Sequence, residues 1–116
     1  MTTEPIVVAE RVAPPEAELE LAIPADLEYF QGHFAGAPVV PGVVQIKWAI
    51  DAARRHLTVG GAFAGMEALK FQRVLVPGCV ATLTLKWVAA DGKLYFSFAS
   101  AEGRFSSGRL LLRPAA

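Results

Sequence analysis

The chain has 116 residues, 53% of them hydrophobic and 19% charged, with eleven bases balancing eleven acids. That length buries a core without staples, and no apolar run approaches the roughly eighteen residues of a membrane span. A single cysteine, Cys79, excludes an internal disulfide and suits a reducing compartment; the first ten residues lack the basic flank of a signal peptide, so cytoplasm is expected.

The chain reads as one domain over 1–116. Glu18–Ile23 alternates polar and apolar residues, predicting a strand with Leu19, Leu21 and Ile23 inward. Pro24 ends it, and Gly32, Gly36, Pro38 and Pro41 make 24–41 an irregular, tightly turned stretch. After Pro41-Gly42, residues Val43–Leu57 (VVQIKWAIDAARRHL) run without a breaker, enough for four helical turns. Arg54, Arg55 and His56 near the end complement the helix dipole. Apolar residues occupy nearly every side of this helix, so it is expected to be surrounded by protein.

From Met66 the period changes to two. Strands are predicted over Met66–Val76, Cys79–Ala90, Lys93–Ser100 and Arg104–Arg113, separated by Pro77-Gly78, Asp91-Gly92 and Glu102-Gly103. Thr82, Thr84 and Lys86 share one face of the second of these, while Ala81, Leu83, Leu85 and Trp87 share the other. A strand, a buried helix and a four-strand meander make an α+β fold, an antiparallel sheet wrapped around one central helix. The apolar excess calls for a subunit interface, a ligand tunnel or both.

Charge is uneven: residues 1–40 hold seven acids and one base, residues 41–116 four acids and ten bases. Plain solvation of outward faces explains this, and so does a basic surface for an acidic partner. The bases stand singly and no binding motif accompanies them, so nucleic acid is not expected. No metal cluster, phosphate loop or nucleotide motif appears, so no cofactor is implied. Cys79 reads as a small buried hydrophobe, and His56 as a residue capping or solvating the helix end.

His33-Phe34-Ala-Gly36-Ala-Pro38-Val-Val-Pro41-Gly42-Val43 resembles the HFPGxPxxPGV signature of the 3-hydroxyacyl-(acyl-carrier-protein) dehydratases. Lys70-Phe71-Gln-Arg73-Val-Leu-Val76-Pro77-Gly78 resembles that family's second block. The Pro-Gly-Val-Val-Gln-x-x-Trp variant is similar to the small dehydratases of aryl-polyene clusters. The resemblance implies a hot-dog fold, a homodimer or an oligomer of dimers, and dehydration of an acyl-carrier-protein-linked 3-hydroxyacyl thioester to the trans-2-enoyl thioester. His33 matches the base, a role that suits an imidazole titrating near neutrality. The Gly42 N–H at the helix start would bind the thioester carbonyl, and Phe34 and Val43 would touch the acyl chain. Carrier protein is acidic as a class, which makes Arg54, Arg55, Arg73 and Arg104 candidates for docking.

The chain departs from the family where an acid stands fourteen residues after the histidine, because Lys47 occupies that place. Lys47 serves as a desolvated ammonium donor, or the site is impaired and the chain binds acyl thioesters or partners an active homologue, or Asp51 one turn on takes the duty. The plain alternative is an i,i+4 ion pair between Lys47 and Asp51. A hot-dog thioesterase is a further reading, disfavoured by the prolines flanking His33. Ala35 replaces the usual proline after the His-Phe pair, and Cys79 stands where an Asp is common.

Overall fold

The computed structural model describes residues 3–26 and 39–114, which form six strands and one helix. In chain order these are β1 (Ile6–Ala13), β2 (Glu16–Ala22), α1 (Gly42–His56), β3 (Ala62–Phe71), β4 (Val80–Val88), β5 (Lys93–Ser100) and β6 (Gly103–Arg113). All pairings are antiparallel, and the sheet order is β1-β2-β4-β5-β6-β3.

The two-residue period puts one face of each central strand inward. Leu19 and Leu21 of β2, Leu83 and Leu85 of β4, Leu94, Phe96 and Phe98 of β5, and Leu110 and Leu112 of β6 are buried. Against them α1 lays Val44, Ile46, Trp48, Ala49, Ala52 and Ala53. This is the expected hot-dog arrangement, with a helix on the inner face of an antiparallel sheet. At the β4–β5 turn Gly92 adopts φ +62, the left-handed conformation that the Asp91-Gly92 pair announces.

Four expectations need correction. First, residues 6–13 form a strand that the alternation test did not find. β1 is a sheet edge exposed along its whole length, so its apolar residues follow no inside–outside pattern. Second, the strand expected over Met66–Val76 runs Ala62–Phe71, and that expected over Cys79–Ala90 runs Val80–Val88. Third, β3 pairs with β6 rather than opening a four-strand meander, so of those four strands only β4, β5 and β6 follow one another in space.

Fourth, α1 is not covered on all sides. Val43 is 74% exposed, and Lys47, Arg54 and Arg55 also face outward. The helix lies on the sheet through one face, while the opposite stripe of Val43 and Lys47 is open.

Candidate active site

His33 and Phe34 lie outside the described residues, so the site is built from what flanks them. Three backbone hydrogen bonds tie both flanks to the Leu75–Cys79 stretch. The Ile23 N–H donates to Cys79 O at 3.0 Å and the Gly78 N–H to Ile23 O at 2.9 Å; beyond the interval, the Val40 N–H donates to Leu75 O at 2.8 Å. Past the end of β3 the Gln72 and Arg73 N–H groups still donate to Phe105 O of β6, at 2.9 and 3.3 Å, and the chain turns to these flanks only from Leu75 on. The second sequence block, which carries Pro77-Gly78, thus ties together the chain before and after that interval.

Gly42 opens α1 directly after Pro41, whose carbonyl accepts the Val44 and Gln45 N–H groups at 3.1 and 3.2 Å. No side chain caps this end and no acid stands in the first turn, so the leading N–H groups and the positive end of the dipole are not neutralised within the helix. Glycine carries no Cβ, so it leaves the helix start open to close approach by another group. The structure adds a second reason: a Cβ on Gly42 would lie 2.5 Å from Cζ and 2.8 Å from Cε1 of Phe71. The half-exposed Phe71 ring, at the end of β3, stands against the helix start.

Lys47 extends from the outer side of α1, and its Nζ donates to Asp51 Oδ2 at 2.7 Å; the side chains are 59% and 33% exposed. The i,i+4 ion pair expected as the plain alternative is thus present. The pair borders a shallow groove of about 300 Å³ lined by Val43, Ile46, Ile50, Phe63 and Met66. This groove joins the open stripe of α1 to β3, whose Phe63, Met66 and Phe71 are exposed. Val43 lies in the groove, close to the helix start; Lys47 and Asp51 sit one and two turns further on.

Other candidates fall elsewhere. His56 turns toward β1, with Nε2 3.7 Å from Glu10 Oε2. Cys79 is half-buried and packs on the core, as a small hydrophobe would. Arg73 is engaged in structure: it stacks on Phe105 at 4.6 Å and donates to Gly103 O and Ser100 Oγ. Arg54 donates to Gly61 O, and Arg55 lies 3.8 Å from Glu4; Arg104 is exposed. On the outer sheet face, Glu67 Oε1 lies 3.1 Å from Lys93 Nζ and 3.3 Å from Arg109 Nε. The Lys93 hydrogen bond, opposed by desolvation and helped by the charges of Lys93, Arg109 and Arg113, holds the Glu67 carboxyl below its ordinary value. Among the described residues no three His, Cys, Asp or Glu side chains gather as metal ligands.

Sequence reasoning missed Phe71 as the neighbour of Gly42 and missed the polar contacts of Gln45. A lone amide on the apolar face of a helix was the available signal for the latter.

Among the described residues, a six-stranded antiparallel sheet carrying one helix, which starts uncapped at Gly42 after Pro41, is the frame of a hot-dog protein. The chain belongs to the ApeI-like dehydratase family: the model described as ApeI dehydratase matches residues 9–109. Among curated proteins it is similar to the 3-hydroxyacyl-(acyl-carrier-protein) dehydratase FabZ of Erythrobacter litoralis, 35% identical over 77 residues, which is 59% of this chain and 51% of that protein. FabZ of Streptococcus mutans is 33% identical over 81 residues, 64% of this chain and 58% of that protein. The chain thus spans about half the length of the curated relatives it matches.

Solved structures match over nearly the whole chain. An uncharacterized protein from Erwinia carotovora subsp. atroseptica superposes with a TM-score of 0.87 at 34% identity, covering 96% of this chain and 97% of that one. A chain of the dehydratase heterocomplex ApeI:P from Xenorhabdus doucetiae gives 0.85 at 32%, covering 94% and 97%. Among the described residues no helix is long and apolar enough to cross a membrane.

Proposed function

We propose that this chain dehydrates a 3-hydroxyacyl thioester carried on acyl carrier protein, giving the trans-2-enoyl thioester and water. The observation that carries the reading is the signature His33 to Val43 ending at an uncapped helix start, Gly42, in a member of the ApeI-like dehydratase family. His33 takes the proton from the carbon beside the carbonyl. The negative charge that develops on the thioester oxygen is met by the Gly42 N–H and the positive end of α1. The electron pair then forms the double bond as the 3-hydroxyl leaves with a proton. Phe34 and Val43 flank the acyl chain, and the apolar groove of Val43, Ile46, Ile50, Phe63 and Met66 is covered by a second copy.

The proton for the leaving hydroxyl comes from the Lys47–Asp51 pair, with Lys47 as the ammonium donor. Asp51 Oδ2 accepts from Lys47 Nζ at 2.7 Å, which fixes the direction of the ammonium group. A second reading is favoured by Lys47 at the acid position and by the likeness to a dehydratase heterocomplex. In it the chain is one half of a mixed pair whose other half supplies the acid.

The test follows loss of water by mass from a 3-hydroxyacyl carrier-protein thioester, using wild type, His33→Ala and Lys47→Glu. Turnover in wild type that disappears in His33→Ala supports the proposal; turnover unchanged by His33→Ala refutes it. No turnover in wild type, gained in Lys47→Glu, leaves acyl-thioester binding or partnership in a mixed pair as the chain's role.

A further inference from the structure

Gln45 and Ser106 are the two buried polar side chains among the described residues, at 3% and 0% exposure in an otherwise apolar core. They belong together although 61 residues apart. The Ser106 hydroxyl donates to Gln45 Oε1 at 2.7 Å, and Gln45 Nε2 donates to Val40 O at 3.1 Å. The Val40 N–H is itself held by Leu75 O. Both sides of Val40 are therefore fixed, two residues before Gly42.

The same strand position controls the other side of Gly42. In the β3–β6 ladder Ser106 stands opposite Phe71, whose ring is the group against the Gly42 Cα. A closed frame results: β6 reaches Val40 through Gln45, β6 pairs with Phe71, and Phe71 borders Gly42. A neutral amide accepts from the sheet hydroxyl through its oxygen and donates to the Val40 carbonyl through its nitrogen at once. A leucine of similar size would do neither, and would leave both partners buried without a bond. An apolar side chain would serve packing alone equally well.

We propose that Gln45 is a positioning residue that, through Ser106 and Val40, sets the direction of the helix-start amide at Gly42. This rests on the reading in which that amide binds the thioester carbonyl. A displacement of about 1 Å at such a group lowers turnover by up to about a hundredfold.

The test compares Gln45→Met, Ser106→Ala and the double variant Gln45→Met/Ser106→Ala. Three readouts are taken: melting temperature, kcat and KM on a 3-hydroxyacyl carrier-protein thioester, and amide hydrogen exchange in the intact protein. Replacing both side chains removes the Ser106 orphan but not that at Val40 O, so the double variant recovers part of the melting temperature lost by Gln45→Met. It does not recover kcat, which stays about tenfold or more below wild type while KM moves little. Exchange at Val40, Val44 and Gln45 quickens about tenfold or more while β4 and β5 stay protected. Recovery of kcat together with melting temperature, or unchanged exchange at those three amides, overturns the proposal. If wild type shows no turnover the functional reading fails, and the exchange comparison still decides whether Gln45 sets the helix start.

Discussion

Gly42→Ala separates two reasons for a glycine at the head of the helix. The new Cβ would meet Phe71 Cζ at 2.5 Å, and ordinary carbon contacts lie near 3.5–4.0 Å, so the ring tip must retreat by roughly 1 Å or more. Phe71 is 49% exposed, so the ring can swing toward solvent rather than force the helix aside. The loss is then part of a phenylalanine's burial, about 1 kcal/mol out of the 1.5–3 for a fully buried side chain. Alanine is the better helix former by up to about 1 kcal/mol, which offsets much of that loss. Stability should therefore change by no more than about 1 kcal/mol.

Turnover should change far more. A methyl group and a displaced ring beside the 42 N–H block a carbonyl oxygen from reaching it, and loss of one such donor lowers kcat by about a hundredfold to a thousandfold. Phe71→Ala in the same chain removes the steric conflict. The double variant Gly42→Ala/Phe71→Ala should melt no lower than Phe71→Ala alone, yet turn over as slowly as Gly42→Ala. Thermal melts and kcat/KM on the carrier-linked substrate measure both. If turnover in the double variant returns to that of Phe71→Ala, the glycine serves only to accommodate the ring, and the claim that a methyl here blocks approach to the 42 N–H is refuted.

Glu67 gives a prediction in pH. Its folded value is depressed, chiefly by the Lys93 hydrogen bond, so its contribution to stability is complete above the ordinary value of 4.5 and disappears as pH falls through the lower folded value. Wild type should melt above Glu67→Gln at pH 6, and the gap should close as melts are taken progressively below pH 4.5; a constant gap would refute this. Met66→Asp places a charge in the exposed groove beside α1. If a second copy covers that groove, sedimentation should show a shift toward monomer with the melt of the subunit otherwise retained, whereas an unchanged oligomer would place the interface elsewhere.

The sequence by itself determined the elements whose signals are local. Alternation marked β2, β4, β5 and β6, the Asp91-Gly92 and Glu102-Gly103 pairs marked their turns, and the breaker-free run after Pro41-Gly42 marked α1. It also offered the Lys47–Asp51 pair as one of its alternatives, because four residues apart on a helix is already a spatial relation. The signature from His33 to Val43 is legible in the same way, as a run of adjacent residues.

Tertiary structure alone decided the rest. β1 and β3 are the edges of the sheet and keep large apolar side chains exposed, so the alternation that betrays a half-buried strand is missing from β1 and blurred in β3. Nothing near β3 says that it pairs with β6 instead of β4, since that choice is made by the sheet as it closes. Phe71 against Gly42, and Ser106 against Gln45, join residues 29 and 61 positions apart. Such contacts have no local signature: their energy comes from removing both partners from water together, and that happens only once the helix has docked on the sheet.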